Sequence, residues 1–107
     1  MQTLSQLVVY ESGALTVVGF AGHARLDELN LAECHDEVIA LVRQHRCKVL
    51  AIDMTETRII PSGLLGLMVA IHHQRVSVCL LNCSDELREV LEITKLNRFI
   101  STYRRAP

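Results

Sequence analysis

The sequence predicts an α/β domain with a mixed sheet, in the order β-β-α-β-α-β-α-β, whose helices pack mainly on one face. Three observations carry this. Val49-Leu50-Ala51-Ile52 and the stretch from Val76 to Asn82 are continuous apolar runs of strand length, as expected for central strands covered on both faces. Stretches of helical periodicity, opened at Asn30, Ser62 and Ser84, alternate with them. Glu11-Ser12-Gly13, between two stretches rich in β-branched residues, reads as a hairpin turn and adds an antiparallel edge.

The 107 residues suit a single domain spanning 1–107. An apolar share of 50% against 21% charged residues allows a core and argues against disorder. A net charge of −1 argues against holding nucleic acid by bulk charge. The opening MQTLSQLVVYESG lacks the charged start of a secretory signal, and no apolar run is long enough for membrane insertion. Cys34, Cys47, Cys79 and Cys83 contain no C-x-x-C pair, so reduced thiols in a cytoplasmic protein are expected.

In chain order, Leu7–Tyr10 and Ala14–Phe20 are the hairpin strands, and Gly19 and Gly22 loosen the chain around the end of the second. Asn30 caps the first helix, with Glu33 at capping-box spacing and Leu29 with Cys34 as the hydrophobic staple. Leu31, Cys34, Val38, Leu41 and Val42 form its inner face to about Gln44, and His45-Arg46 is the exit. Lys48–Asp53 is the third strand, ending in an aspartate whose ordinary role is to cap the loop backbone. The fourth strand runs from Val76 to Asn82, and Ser84 caps a helix with an inner stripe of Leu87, Val90, Leu91 and Thr94 that ends at Asn97. Arg98–Tyr103 alternates and closes the sheet as an edge strand, with Arg104–Pro107 as a tail.

The second helix is where function is expected. Pro61-Ser62-Gly63 opens it, and Ser62 sits where an N-cap should, its side-chain oxygen placed to accept from a free backbone N–H. At 100° per residue, Leu64, Leu67, Met68 and Ile71 share the face that meets the sheet. Leu65, Gly66, Val69, Ala70 and His73 then lie on the side and back, where a helix covered on one face is normally polar. Either other segments cover this strip or it docks a partner, and the small residues Gly66 and Ala70, four apart, suit a close-approaching backbone.

Other chemistries lack support. Cys34-His35, His72-His73, Cys79 and Cys83 are metal-ligand types without a zinc-site spacing. Asp53 has no histidine or second acid tied to it by motif, and Ser62 lacks the G-x-S-x-G elbow. Gly63 and Gly66 do not form a phosphate loop, so no enzyme, metal or cofactor is expected.

The strand ending in Asp53, the Ser62-Gly63-Leu64 helix start, Val76-Ser77-Val78-Cys79-Leu80-Leu81-Asn82 and the closing ITKLNRFI together resemble the STAS domain, as does GHARLDELNLAE before the first helix. That family includes the anti-sigma factor antagonists and the cytoplasmic part of sulfate transporters. Its second helix usually opens Asp-Ser-Ser-Gly, with the second serine phosphorylated by an anti-sigma kinase. Here Ser62 and Gly63 match, whereas Ile60 and Pro61 replace the acid and the first serine. The connection from His73 to Val76 is also short for the family, which implies a trimmed second helix.

The resemblance implies a protein-binding regulator that captures an anti-sigma factor or related serine kinase and is switched by phosphate on Ser62. The expected partner surface comprises Pro61, Ser62, Gly63, Leu65, Gly66, Val69, Ala70 and His73, flanked by the loop residues Asp53, Thr55, Arg58 and Ile60. The alternative is a STAS scaffold or sensory domain that binds a protein or small ligand and receives no phosphate. Ser62-Gly63 favours the first and Ile60-Pro61 the second.

Overall fold

The computed structural model describes residues 2–4, 7–20, 30–55, 57 and 60–103. Their strands form one six-stranded sheet in chain order: β1 (Gln2–Thr3), β2 (Val8–Glu11), β3 (Leu15–Gly19), β4 (Val49–Asp53), β5 (Ser77–Leu81) and β6 (Ile100–Tyr103). β1, β2 and β3 pair antiparallel, and β3 to β6 pair parallel. The two-residue β1 is too short for a sequence pattern to signal. Helices α1 (Leu31–His45), α2 (Ser62–His72) and α3 (Asp85–Ile93) fill the three crossovers. The parallel strands advance in one direction, so crossovers of one hand place all three helices on one face.

The core lies between that face and the helices. Leu50, Ile52, Val78 and Leu80 from the strands meet Val38, Leu64, Met68, Ile71, Leu87 and Leu91 from the helices. Burying a side chain of this size contributes roughly 1.5–3 kcal/mol. The expectation of central strands covered on both faces is corrected here. Val49, Cys79 and Leu81, of opposite parity, are only partly buried, although Ala51 between them is buried, and no helix among the described residues crosses the second face. Tyr10, Leu15 and Tyr103 are among the exposed large apolar residues of the sheet.

Local signals explain most helix ends. Asn30 accepts the Glu33 N–H at 3.1 Å, and Arg46 ends α1 in the left-handed conformation at φ 50°. Cys34 is buried in the core, whereas Leu29, the staple's other half, lies outside the described residues, as do Gly22, Arg58 and the Arg104–Pro107 tail. Ser84 caps α3 through the Leu87 N–H at 3.2 Å.

α3 departs from expectation at its far end. It stops at Ile93 rather than Asn97: the Thr94 hydroxyl donates back to the Val90 carbonyl at 2.7 Å, and Lys95 turns left-handed. Leu87 and Leu91 form the inner stripe, but Val90 is 41% exposed and Thr94 is exposed. Gly19 closes β3, inside the stretch expected as a strand, and the Tyr10 ring lies against it, where a Cβ would stand 2.7 Å from a ring carbon.

Candidate functional site

α2 begins at the carboxyl end of the parallel strands, the end at which open α/β sheets present their sites. Its first residue is Ser62, which is exposed. The capping role expected of Ser62 is corrected. Pro61, extended at φ −70° and ψ 146°, occupies the N-cap position and has no side-chain acceptor. The Pro61 carbonyl accepts the Leu64 N–H at 3.0 Å, and Ser62 is already helical. As the first helical residue rather than the N-cap, Ser62 is not at the position from which a side chain accepts the first-turn amides. The short exit from α2 is observed, with Arg75 at φ 65° turning the chain directly into β5.

Leu64, Leu67, Met68 and Ile71 are buried, as the helical periodicity requires. The remaining positions divide into three groups. On the α1 flank, Gly63 lies against Leu31, where a Cβ would stand 2.5 Å from Leu31 Cδ1, and Ala70 shares that flank by helical position. On the α3 flank, Ser62, Leu65 and Val69 line up, with Leu65 and Val69 half-buried. Gly66 and His73 are outermost and exposed, and a Cβ on Gly66 would meet nothing within 4 Å.

Between α2 and α3 is a shallow groove of about 160 Å³, lined by Ile60, Leu65, Ser84, Glu86, Leu87 and Val90. A stripe pattern that counts Val90 as an inner residue hides this groove. The available signal was Ile93, which falls with Val90 on a flank off the Leu87–Leu91 line. At the far end of α2, the His72 ring packs on Phe99 at 5.1 Å between centroids, and its Nδ1 is buried with no hydrogen-bond partner among the described residues.

A polar cluster braces the loop that leads into α2. Asp53 Oδ1 accepts the Thr55 N–H at 3.0 Å, the loop-capping role expected of it, and also accepts from the Thr55 hydroxyl. Asn82, at the end of β5, donates to Asp53 Oδ1 at 3.3 Å and to the Thr55 hydroxyl at 3.0 Å. Asn82 adopts φ 58°, a left-handed conformation that asparagine tolerates, and its N–H donates to the Tyr103 carbonyl. Its amide thus ties the ends of β4 and β5 together beside the start of α2. No local pattern signals this role of Asn82, since its partner is 29 residues away in the chain. Thr57 donates to the Met54 carbonyl at 2.7 Å and tightens the same turn.

No group of three or more metal-ligand side chains occurs among the described residues. No helix among them is long and apolar enough to cross a membrane.

Comparison with known proteins gives one family and one fold. The family model described as "STAS domain" matches residues 6–106. No curated protein matches. Among solved structures, the anti-sigma factor antagonist SpoIIAA in its unphosphorylated form is similar at 16% identity and a TM-score of 0.73, over 92% of this chain and 86% of that one. The Bacillus cell fate determinant SpoIIAA in its phosphorylated form is similar at 13% identity and a TM-score of 0.66, over 91% of this chain and 90% of that one. At these identities the likeness is one of fold.

Proposed function

Because the chain belongs to the STAS domain family, we propose that it is a non-catalytic regulatory domain of the anti-sigma factor antagonist type. It captures an anti-sigma factor or related serine kinase through the exposed side of α2 and releases it when Ser62 is phosphorylated. The observation that carries this reading is the place of Ser62: exposed, in the first turn of α2, at the head of the half-buried apolar flank formed by Leu65 and Val69. Free N–H groups and the helix dipole favour a phosphate there. The phosphate adds roughly −1.5 to −2 charges, and burying that charge under an apolar partner surface opposes docking.

One observation favours the second reading, a scaffold that receives no phosphate. Ile60 packs against the core and Pro61 takes the cap position, so both residues before Ser62 have a role in the fold.

The test is incubation of the purified chain with an anti-sigma serine kinase and ATP, followed by intact-mass measurement and calorimetric titration. The first reading expects one phosphate, lost in Ser62→Ala, and weaker binding of the phosphorylated chain. Unchanged mass with intact binding supports the scaffold instead.

A further inference from the structure

The groove between α2 and α3 has a chemical character beyond its closeness to Ser62. Its apolar lining is Ile60, Leu65, Leu87 and Val90. The same flank of α3 continues to Ile93, which is 74% exposed. At 100° per residue, Glu86, Val90 and Ile93 lie along the α2 side of α3, with Glu89 next to them on the outer surface. Arg88, the one Lys or Arg within α3, lies on the opposite flank.

Folding of the chain accounts for only part of this. Glu86 in the first turn complements the helix dipole, but Glu89 is more than a turn in. Solvent exposure of Val90 and Ile93 contributes nothing to the core. An apolar strip with a carboxylate rim complements a helix that has an apolar stripe and cations along one flank. A second copy of this chain docked α3 to α3 fits poorly, because it would bring together two helices that each carry Asp85, Glu86, Glu89 and Glu92 against the single Arg88. Anionic lipid is repelled by the same charges.

We propose that the α2–α3 groove docks a basic amphipathic helix of the partner. Its apolar stripe lies on the α2 wall headed by Ser62, and its cationic flank lies along Glu86 and Glu89. This rests on the protein-binding reading above and adds the partner's chemistry and orientation.

The probes are two synthetic helical peptides of about five turns with the same leucine stripe, one flanked by lysines and the other by glutamates. Titration of the full chain, followed by fluorescence anisotropy and by NMR, should show the lysine peptide binding at least about tenfold tighter. Its affinity should fall with salt, and the signals of Leu65, Leu87 and Val90 should shift. Glu89→Lys, with its fold checked by thermal melting, should narrow the preference at least about threefold, and Glu86→Gln should narrow it less. Equal affinities, no saturable binding, an unmoved preference in Glu89→Lys, self-association through this groove, or shifts confined to the open sheet face would each overturn the proposal. The switch fails or stands separately, on whether Ser62 accepts phosphate from the kinase.

Discussion

Gly63 and Leu31 set how closely α2 approaches α1: a Cβ on Gly63 would stand 2.5 Å from Leu31 Cδ1. Contact with the end of a flexible side chain makes the two positions interdependent. Gly63→Ala gains roughly 0.5–1 kcal/mol of helix propensity but displaces the Leu31 methyl, so alone it should leave stability within about 1 kcal/mol of wild type. In a Leu31→Ala background the same substitution should stabilise by roughly 0.5–1 kcal/mol. Urea unfolding of the four proteins measures the coupling, expected at about 0.5 kcal/mol or more. Strict additivity would mean that Leu31 moves aside at no cost.

Ser62 makes no capping bond, so Ser62→Ala should change stability by less than about 0.5 kcal/mol. Ser62→Asp places a carboxylate at the positive end of α2 and should stabilise by about 0.3–1 kcal/mol. Under the proposed switch, binding moves the other way. The alanine variant keeps its affinity for the anti-sigma kinase, whereas the aspartate variant loses about tenfold or more. Thermal melts with calorimetric titration read both quantities. Wild-type affinity in the aspartate variant, repeated with phosphorylated protein, would remove the switch and leave the scaffold.

Gly66 is exposed within α2, with open space where a side chain would stand. Gly66→Ala should therefore stabilise the free chain by roughly 0.5–1 kcal/mol, read as a higher urea midpoint. If a partner backbone approaches α2 closely at this point, the same variant binds more weakly while being the more stable protein. Unchanged affinity would place the docked partner away from the outer pole of α2.

Cys34 gives a pH prediction. Burial first, and Glu37 second, push its thiol from the ordinary 9.0 up to about 11. Below the unfolded value both states hold the proton and the contribution is fully present. As pH rises from 9.0 towards 11 the unfolded chain releases this proton while the folded chain keeps it, so stability falls across that window. Burial also raises the Cys79 thiol, which adds a loss of the same sign. Urea midpoints measured across the window should decline less steeply in Cys34→Ala than in wild type. Equal slopes would show that Cys34 ionises alike in both states.

The sequence alone determined the order of the longer elements, the STAS resemblance, the caps at Asn30 and Ser84, and the buried face of α2. Each depends on residues a few positions apart, where helical or strand period and local hydrogen bonds decide the outcome. The tertiary structure decided the rest. Pro61 displaced Ser62 from the cap, and Thr94 with Lys95 ended α3 before Asn97. Asn82, at the end of β5, met Asp53 at the end of the adjacent β4, and the strip on α2 divided between an α1 flank at Gly63 and an α3 flank at Leu65. The periodicity of α2 identifies its inner face but cannot say which neighbour meets each flank. The sheet order decides that, because strands advancing in one direction with crossovers of one hand set α1 and α3 on opposite sides of α2.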